Sequence, residues 1–149
     1  MQQVLDEVEK ALRYRTVAIV GLSRNPEKDS YRVAEFLKSK GYRIVPINPN
    51  AEEILGEKAY PSLKDLPESL KAGIEVVDIF RRSEEVLPVV EEALELHKKY
   101  GRLRVIWMQE GVVNKEAAQV AEKAGLMVVM DRCMMKERLK REEILEFRL

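Results

Sequence analysis

The stretch TVAIVGLSRNPEKDSYRVAEFL, residues 16–37, runs from an apolar strand through one glycine and a polar loop into an amphipathic helix. Residues 17–20 are apolar at consecutive positions, so both faces of the strand must be covered, as in a parallel sheet. Ligands bind beyond the carboxyl ends of the strands in such sheets, so the loop at residues 21–30 is expected at a binding site. The stretch therefore predicts a nucleotide-binding layout, although it lacks the glycines that a dinucleotide-binding turn carries.

The same alternation continues along the chain. Apolar runs typical of strands recur at IVPI, IEVVDIF, RVIWM and LMVVMD, and helical patterns separate them. An α/β fold follows, with a Rossmann-like, doubly wound, mainly parallel five-stranded sheet and helices on both faces. We expect one domain over residues 1–149, with a helix at 1–14, a short strand at 58–60 and a charged helix at 134–147.

Polar residues mark the starts of three helices. Ser30, Ser83 and Asn114 each stand beside the beginning of a helical pattern. A side-chain oxygen at such a position can accept a hydrogen bond from a free N–H group of the first turn. We therefore expect all three residues to be N-caps.

The composition argues against several classes of partner. The chain of 149 residues has 26 basic and 26 acidic residues, so its formal charge is zero and does not favour a nucleic acid or an anionic membrane. One Cys rules out an internal disulfide, and no apolar run has the length of a membrane helix. We expect a cytoplasmic protein with a small-molecule ligand. The 35% of charged residues is compatible with the ion-pair surface of a thermophilic protein.

The loop after the first strand has the chemistry of an anion site. Gly21 permits a sharp turn, Ser23 offers a hydroxyl, and Arg24 and Lys28 can bring positive charge to a phosphate. The helix that begins near Ser30 directs free N–H groups to the same place. A simpler interpretation stays open here: the glycine only turns the chain, the second serine only caps the helix, and the two basic side chains are solvated.

A nicotinamide dinucleotide is not favoured as the ligand. Its fingerprint needs three glycines in the first turn and an acidic residue after the second strand. Here Gly21, Ser23 and Pro26 occupy the three turn positions, and Asn48 or Pro49 stands where the acid belongs. We therefore expect a wider loop that meets its ligand with side chains as well as backbone.

Several motifs together resemble one known family. The run VGLSRNPEKDSYRVAEFLKSKGYRIVPINPNAEEILGEKAYPSL, followed by VVDIF, WMQEGVVN and DRC, resembles the stand-alone CoA-binding-domain proteins. Those proteins are similar to the nucleotide-binding domain of the succinyl-CoA synthetase alpha subunit. The similarity spans residues 16–133 and implies a Rossmann-like fold with coenzyme A (CoA) or an acyl-CoA as ligand.

The resemblance also implies which segments contact the CoA. The loop after the second strand contributes a basic residue in the synthetase, whereas Asn50 stands near that position here, so that Arg24, Lys28 or Arg43 would have to replace it. The contacts implied in the loop after the first strand and in the segment after the strand RVIW are Ser23, Arg24, Asn25, Met108, Gln109 and Glu110.

The chemistry of CoA adds candidates. Its phosphates bind to basic groups and amides, and its pantetheine arm binds in an apolar channel. Phe80, Trp107 and Met108 are candidates for the channel, and the end of the second strand, at Asn48, for the adenine. A core position is the alternative for Trp107. Arg81 follows a buried strand and can meet a phosphate, with a surface ion pair as the alternative.

Two more residues follow strands at the carboxyl edge. A carboxamide at a strand end, such as that of Gln109, should have a defined hydrogen-bond partner when it is buried. Cys133 has two interpretations: a small buried hydrophobic residue, or a thiol close enough to the CoA sulfur to form a mixed disulfide.

The sequence thus predicts binding of CoA or an acyl-CoA at the carboxyl edge of the sheet by a non-catalytic binding, carrier or regulatory protein. No catalytic residue or metal ligand is expected, because no metal-binding Cys/His spacing, nucleophile elbow or Walker sequence occurs. Two alternatives stay open: an NAD(P)-dependent oxidoreductase-like enzyme, and a protein-interaction domain with an unused pocket. A homodimer is compatible with each of them.

Overall fold

The computed structural model describes residues 6–147. Two 3₁₀ turns, Leu63–Asp65 and Ser83–Glu85, occur among its helices and strands. The helices are α1 (Glu7–Leu12), α2 (Asp29–Ser39), α3 (Glu68–Lys71), α4 (Val86–Tyr100), α5 (Lys115–Lys123), α6 (Met134–Lys140) and α7 (Glu142–Phe147). The strands are β1 (Thr16–Val20), β2 (Arg43–Ile47), β3 (Glu53–Ile54), β4 (Glu57–Lys58), β5 (Val76–Ile79), β6 (Val105–Met108) and β7 (Met127–Val129).

Five strands form one parallel sheet in the order β2-β1-β5-β6-β7. Val17 of β1 lies opposite Ile44 of β2 on one side and opposite Val76 of β5 on the other. The chain therefore extends the sheet in one direction from β1 to β2 and in the other direction from β5 to β7, and the reversal between β1 and β5 is the switch point. The predicted doubly wound parallel sheet is confirmed.

Each face of the sheet has its own apolar core, because side chains alternate along a strand. Ala18 and Val20 of β1 point to the face that α4 and α5 cover. Val17 and Ile19 point to the opposite face, which α1, α2 and α6 cover. All four side chains of β6 are buried, as its consecutive apolar run predicts, and all four of β5 are buried although one of them is Asp78.

The N-terminal helix is shorter than predicted. Asp6 caps α1 by accepting a hydrogen bond from the Glu9 N–H at 2.7 Å, so the helix begins at Glu7. The helix ends at Leu12, before the predicted end at residue 14. The part of the prediction that falls on residues 1–5 lies outside the described residues.

The single C-terminal helix predicted at 134–147 is wrong, because the segment forms two helices, α6 and α7. Arg141 separates them and leaves the helical region, with φ −115° and ψ 20°. Its guanidinium donates hydrogen bonds to the Glu137 carboxylate at 2.9 Å and to Asp6 at 3.2 Å. These bonds connect α6 to the start of α1.

One of the three predicted N-caps is present. The Asn114 carboxamide oxygen accepts a hydrogen bond from the Ala117 N–H at 2.9 Å and caps α5. The predictions for Ser30 and Ser83 are wrong. Ser30 lies inside α2, which begins one residue earlier, and Ser83 begins the 3₁₀ turn before α4. The Ser83 hydroxyl instead accepts a hydrogen bond from the Val113 N–H at 2.9 Å.

A small hairpin lies beside β2. The strand predicted at 58–60 overlaps β4 at Lys58 alone, because β4 covers Glu57–Lys58, where it pairs antiparallel with β3. Tyr60 forms a parallel bridge with Ile47, the last residue of β2. Within residues 6–147, no helix combines the length and the apolar character that a membrane span needs.

Candidate ligand-binding site

A pocket of about 460 Å³ opens at the carboxyl edge of the sheet. It lies between the first turn of α2, the ends of β5 and β6, and the segment that begins α6. Small-molecule sites usually enclose about 300–1,000 Å³. Its lining residues are Asp29, Arg32, Val33, Phe80, Gln109, Glu110, Cys133, Met135 and Lys136.

The charged groups of the pocket form two pairs. The Arg32 guanidinium lies 3.4 Å from an Asp29 carboxylate oxygen and donates a hydrogen bond to the Glu27 carbonyl oxygen at 2.7 Å. The Lys136 ammonium lies 2.8 Å from Glu110. All four paired side chains are exposed, so solvent screens the pairs and either cation can exchange its partner for a bound anion at low cost.

Gly21 forms the sharp turn between β1 and the loop that leads to α2. Its φ is +86°, and a Cβ at this position would lie 2.1 Å from the Phe80 carbonyl oxygen. The Gly21 N–H donates a hydrogen bond to the Ile47 carbonyl oxygen at 3.0 Å. Glycine is therefore required here for the close approach of three neighbouring strand ends.

The loop from Gly21 to α2 is held by its own hydrogen bonds. The Ser30 hydroxyl accepts from the Ser23 N–H at 2.9 Å, and the Ser23 hydroxyl accepts from the Asn25 N–H at 3.0 Å. The Asn25 side chain in turn accepts from the Glu27 N–H at 3.0 Å. These side chains fix the shape of the loop, which leaves the first turn of α2 directed at the pocket.

The first turn of α2 has free N–H groups. Lys28 is the N-cap residue and makes no side-chain capping hydrogen bond. The N–H groups of the first helical turn have no partner within a helix, and they carry the positive end of its dipole. This turn forms part of the pocket wall, because Asp29 and Arg32 line the pocket. The arrangement suits a phosphate group.

Comparisons with known proteins decide the family. Residues 15–138 match the model of the CoA binding domain. This chain belongs to the CoA binding domain family. The YneT protein of Bacillus subtilis (strain 168) is 40% identical over 129 residues, which are 86% of this chain and 89% of YneT. A solved protein from Pyrococcus horikoshii OT3 is 36% identical, with a TM-score of 0.80, and the match covers 94% of this chain and 98% of that one.

The CoA binding domain also occurs inside larger proteins. The alpha subunit of the ADP-forming acetate–CoA ligase II of Pyrococcus furiosus is 27% identical over 125 residues. The match covers 80% of this chain but 27% of the subunit, so the chain spans about a quarter of that relative. The family resemblance stated from the sequence motifs is confirmed.

Within this CoA binding domain, the predicted ligand contacts fall into two groups. Phe80, Gln109 and Glu110 line the pocket. Arg24, Asn25 and Lys28 are exposed on the loop, and Gly21, Ser23 and Ser30 build the turn and the loop. None of these six is part of the pocket lining.

The predicted contacts after β2 have structural partners. The Asn48 carboxamide donates a hydrogen bond to the Leu22 carbonyl oxygen at 2.9 Å and accepts one from the Asn50 N–H at 2.6 Å. These bonds connect the end of β2 to the loop after β1. Neither residue lines the pocket, so their contact with a ligand stays a prediction.

Two channel candidates lie in the core instead. Met108 is fully buried on the face that α4 and α5 cover, because its register on β6 points it away from the pocket. Trp107 is fully buried on the opposite face, and its indole N–H donates to the Arg132 carbonyl oxygen at 2.8 Å. The core interpretation of Trp107 is confirmed, and the side chain of Met108 lies on the face of the sheet opposite the pocket.

Arg81 faces a different cavity. It lines a space of about 130 Å³ together with Val20, Ile47 and Pro88, on the side of the sheet that α4 covers. Its guanidinium lies 3.9 Å from Glu85. The ion pair proposed as the alternative for Arg81 is therefore present, and the residue lies outside the main pocket.

Gln109 has the defined partner that its position predicts. Its Nε2 donates hydrogen bonds to both carboxylate oxygens of Asp78, at 2.8 and 3.0 Å. Asp78 is fully buried on β5, and burial raises its pKa to about 7 against the lowering effect of the Gln109 hydrogen bond and of the Ile79 N–H. A buried carboxyl group thus lies in contact with Gln109, which lines the pocket.

Cys133 lies in the pocket wall and is 8% exposed. It follows β7 at the carboxyl edge, where the sequence places it. The neighbouring wall is formed by Met135 and Val33. The position allows contact with a ligand, and the mixed disulfide with CoA stays a prediction.

Five pocket residues were missed from the sequence. Asp29, Arg32 and Val33 recur at helical spacing on one side of α2, and Met135 and Lys136 follow the DRC motif. The spacing of the first three residues identifies a shared helix face. The face that lines the pocket depends on how α2 and α6 pack on the sheet. That packing cannot be predicted from the sequence of either helix alone.

Proposed function

We propose that this chain binds CoA or an acyl-CoA in the pocket at the carboxyl edge of the sheet. The observation that carries the proposal is the position of the pocket, between the first turn of α2 and the ends of β5 and β6, in a chain of the CoA binding domain family. Ligands of doubly wound sheets bind at this kind of position, beside the switch point.

The pocket matches the two chemical halves of CoA. The free N–H groups of α2, together with Arg32 and Lys136, would receive the diphosphate. Val33, Phe80 and Met135 offer an apolar wall along which the pantetheine arm would lie. Arg24 and Lys28, exposed on the loop, are the candidates for the ribose 3′-phosphate.

We further propose that binding is the chain's own role, as a carrier, a sensor of acyl-CoA or a regulator. The ligase subunit that shares this domain is much longer, and the match covers 27% of it. The activity of such a ligase is therefore not transferred to this chain.

The two alternatives are less well supported. An NAD(P) site would need an acid or a basic group after β2, where Asn48 holds the Leu22 carbonyl oxygen instead. A protein-interaction domain with an unused pocket would be favoured by a loop folded into the cleft. Residues 23–28 do not line the pocket, and residues 24–28 are exposed, which supports an accessible site.

The proposal is tested by titrating CoA into Phe80→Ala and Phe36→Ala in a calorimeter. Both phenylalanines are half-buried, but only Phe80 lines the pocket. Loss of the apolar wall should weaken CoA binding about tenfold in Phe80→Ala, whereas Phe36→Ala should bind as the wild type does. Equal binding by both variants would place the ligand elsewhere.

A further inference from the structure

We propose that Asp78 is a positioning residue that turns the Gln109 carboxamide so that its oxygen, Oε1, faces the pocket as a hydrogen-bond acceptor. The pocket would then select ligands that bring an N–H or S–H donor to this point. The identity of the ligand rests on the proposed function, whereas the orientation of the carboxamide does not.

The pair is built into the sheet. Asp78 lies on β5 and Gln109 directly follows β6, its neighbour in the sheet. Asp78 is fully buried and Gln109 is 3% exposed, so water competes little for either group. The Gln109 Nε2 donates to both Asp78 oxygens, at 2.8 and 3.0 Å, and is thereby held against the carboxyl group.

The Oε1 atom of Gln109 lacks a protein partner in the described part of the chain. A carboxamide is planar, so that Oε1 points away from Asp78 when Nε2 is held against it. When Asp78 is ionised, as it is above its folded pKa of about 7, the opposite orientation would place Oε1 against two carboxylate oxygens, which accept hydrogen bonds and donate none. Among residues 6–147, no protein group donates a hydrogen bond to Oε1, and Gln109 lines the pocket.

The surroundings of Gln109 indicate the chemistry of its ligand group. The pocket wall includes the apolar residues Val33, Phe80 and Met135. A neutral acceptor beside an apolar wall suits a neutral donor and disfavours a phosphate, which brings only acceptors. The pantetheine arm carries amide N–H groups and ends in a thiol, so this arm, rather than the diphosphate, would reach Gln109.

The test combines three variants in CoA titrations at pH 8, where Asp78 is ionised. Gln109→Met removes the acceptor and should raise the Kd for CoA about fivefold, the order expected for one neutral hydrogen bond. Asp78→Asn permits either orientation of the carboxamide and should raise the Kd by a smaller factor. In the double variant, Asp78→Asn should add no further loss, because a positioning residue acts only through Gln109.

Gln119→Met on α5 is the matched control, since Gln119 is exposed and does not line the pocket. It should bind CoA as the wild type does. An unchanged Kd in Gln109→Met would overturn the acceptor role. An equal loss from Asp78→Asn in the presence and absence of Gln109 would overturn the positioning role, because a purely structural effect would be independent of Gln109.

A second measurement does not depend on CoA. The side-chain N–H protons of Gln109 should exchange with solvent at least about tenfold more slowly than those of Gln119 in NMR spectra of the free protein. Equal exchange rates would overturn the proposed orientation. Slow exchange in a protein that gives no heat with CoA would refute the proposed function and retain the orientation.

Discussion

The carbonyl oxygen of Phe80 lies 2.1 Å from the position that a Cβ on Gly21 would occupy. The two residues follow β1 and β5, the strands on either side of the switch point. Gly21 thus lets the two chain segments pass each other where the loop and the pocket begin. The contact links one residue of the sequence motif both to the fold and to the candidate site.

Gly21→Ala should destabilise the protein by more than about 2 kcal/mol, because the substitution combines a strained positive φ with a steric clash against backbone. Urea denaturation measures the loss. Gly111→Ala is the matched control, since Gly111 has the same φ of +86° but open space around its Cβ position. The control should lose only about 1 kcal/mol, and equal losses would show that the Phe80 contact is unimportant.

Ser30→Ala should loosen the loop before α2. The Ser30 hydroxyl is buried and accepts from the Ser23 N–H, and loss of that acceptor should cost about 1–3 kcal/mol. Hydrogen exchange should show faster exchange of the Ser23 amide, together with weaker CoA binding. Ser39→Ala removes an exposed hydroxyl on the same helix and should change neither quantity. Unaltered protection of Ser23 in Ser30→Ala would contradict the prediction.

Asp78 should make the stability of the protein depend on pH. Its pKa is about 7 in the folded state, against an ordinary value of 3.8, because burial disfavours the ionised form. A carboxyl group with a raised folded pKa is favourable to folding at acid pH, and this advantage falls as the pH rises from about 4 to about 7. Above the folded pKa this advantage is fully lost, and the free energy of unfolding no longer changes with the ionisation of Asp78.

Asp78→Asn removes this titration. The free energy of unfolding of the variant, relative to that of the wild type, should therefore increase by roughly 3 kcal/mol between pH 5 and pH 8. Urea denaturation at both pH values measures the difference. Asp65→Asn, at an exposed carboxyl group, should show no such change. A constant difference for Asp78→Asn would mean that Asp78 is ionised throughout this range.

Cys133 offers a chemical probe of the pocket. It is the only cysteine of the chain and lies in the pocket wall, so uptake of iodoacetamide reports one defined site. Saturating CoA should slow its alkylation at least several-fold, because a bound ligand covers the wall. Mass spectrometry of the intact protein follows the reaction. Alkylation at the same rate with and without bound CoA would place the ligand away from Cys133.

The sheet could be predicted because its signals are local. Consecutive apolar residues, as in β1 and β6, indicate burial on both faces, and the helical patterns between the strands indicate crossovers. The ends of helices were less predictable. Ser30 has the chemistry of an N-cap, but Asp29 already belongs to α2, and the hydroxyl is used by the loop instead.

The pocket could be predicted by its edge of the sheet but not by its full lining. Phe80 and Gln109 follow strands, so the carboxyl-edge rule alone locates them. Met108 also ends a strand, but the pleat turns its side chain into the core on the other face. Lys136 enters the pocket through the packing of α6, which depends on contacts far apart in the sequence.

CoA binding is tested most directly by calorimetric titration of the purified protein with CoA, with 3′-dephospho-CoA and NAD titrated in parallel at one salt concentration. The proposed CoA site predicts one-to-one binding of CoA, weaker binding of 3′-dephospho-CoA and no heat with NAD. Binding of NAD without binding of CoA, or no heat with any of the three, would contradict it.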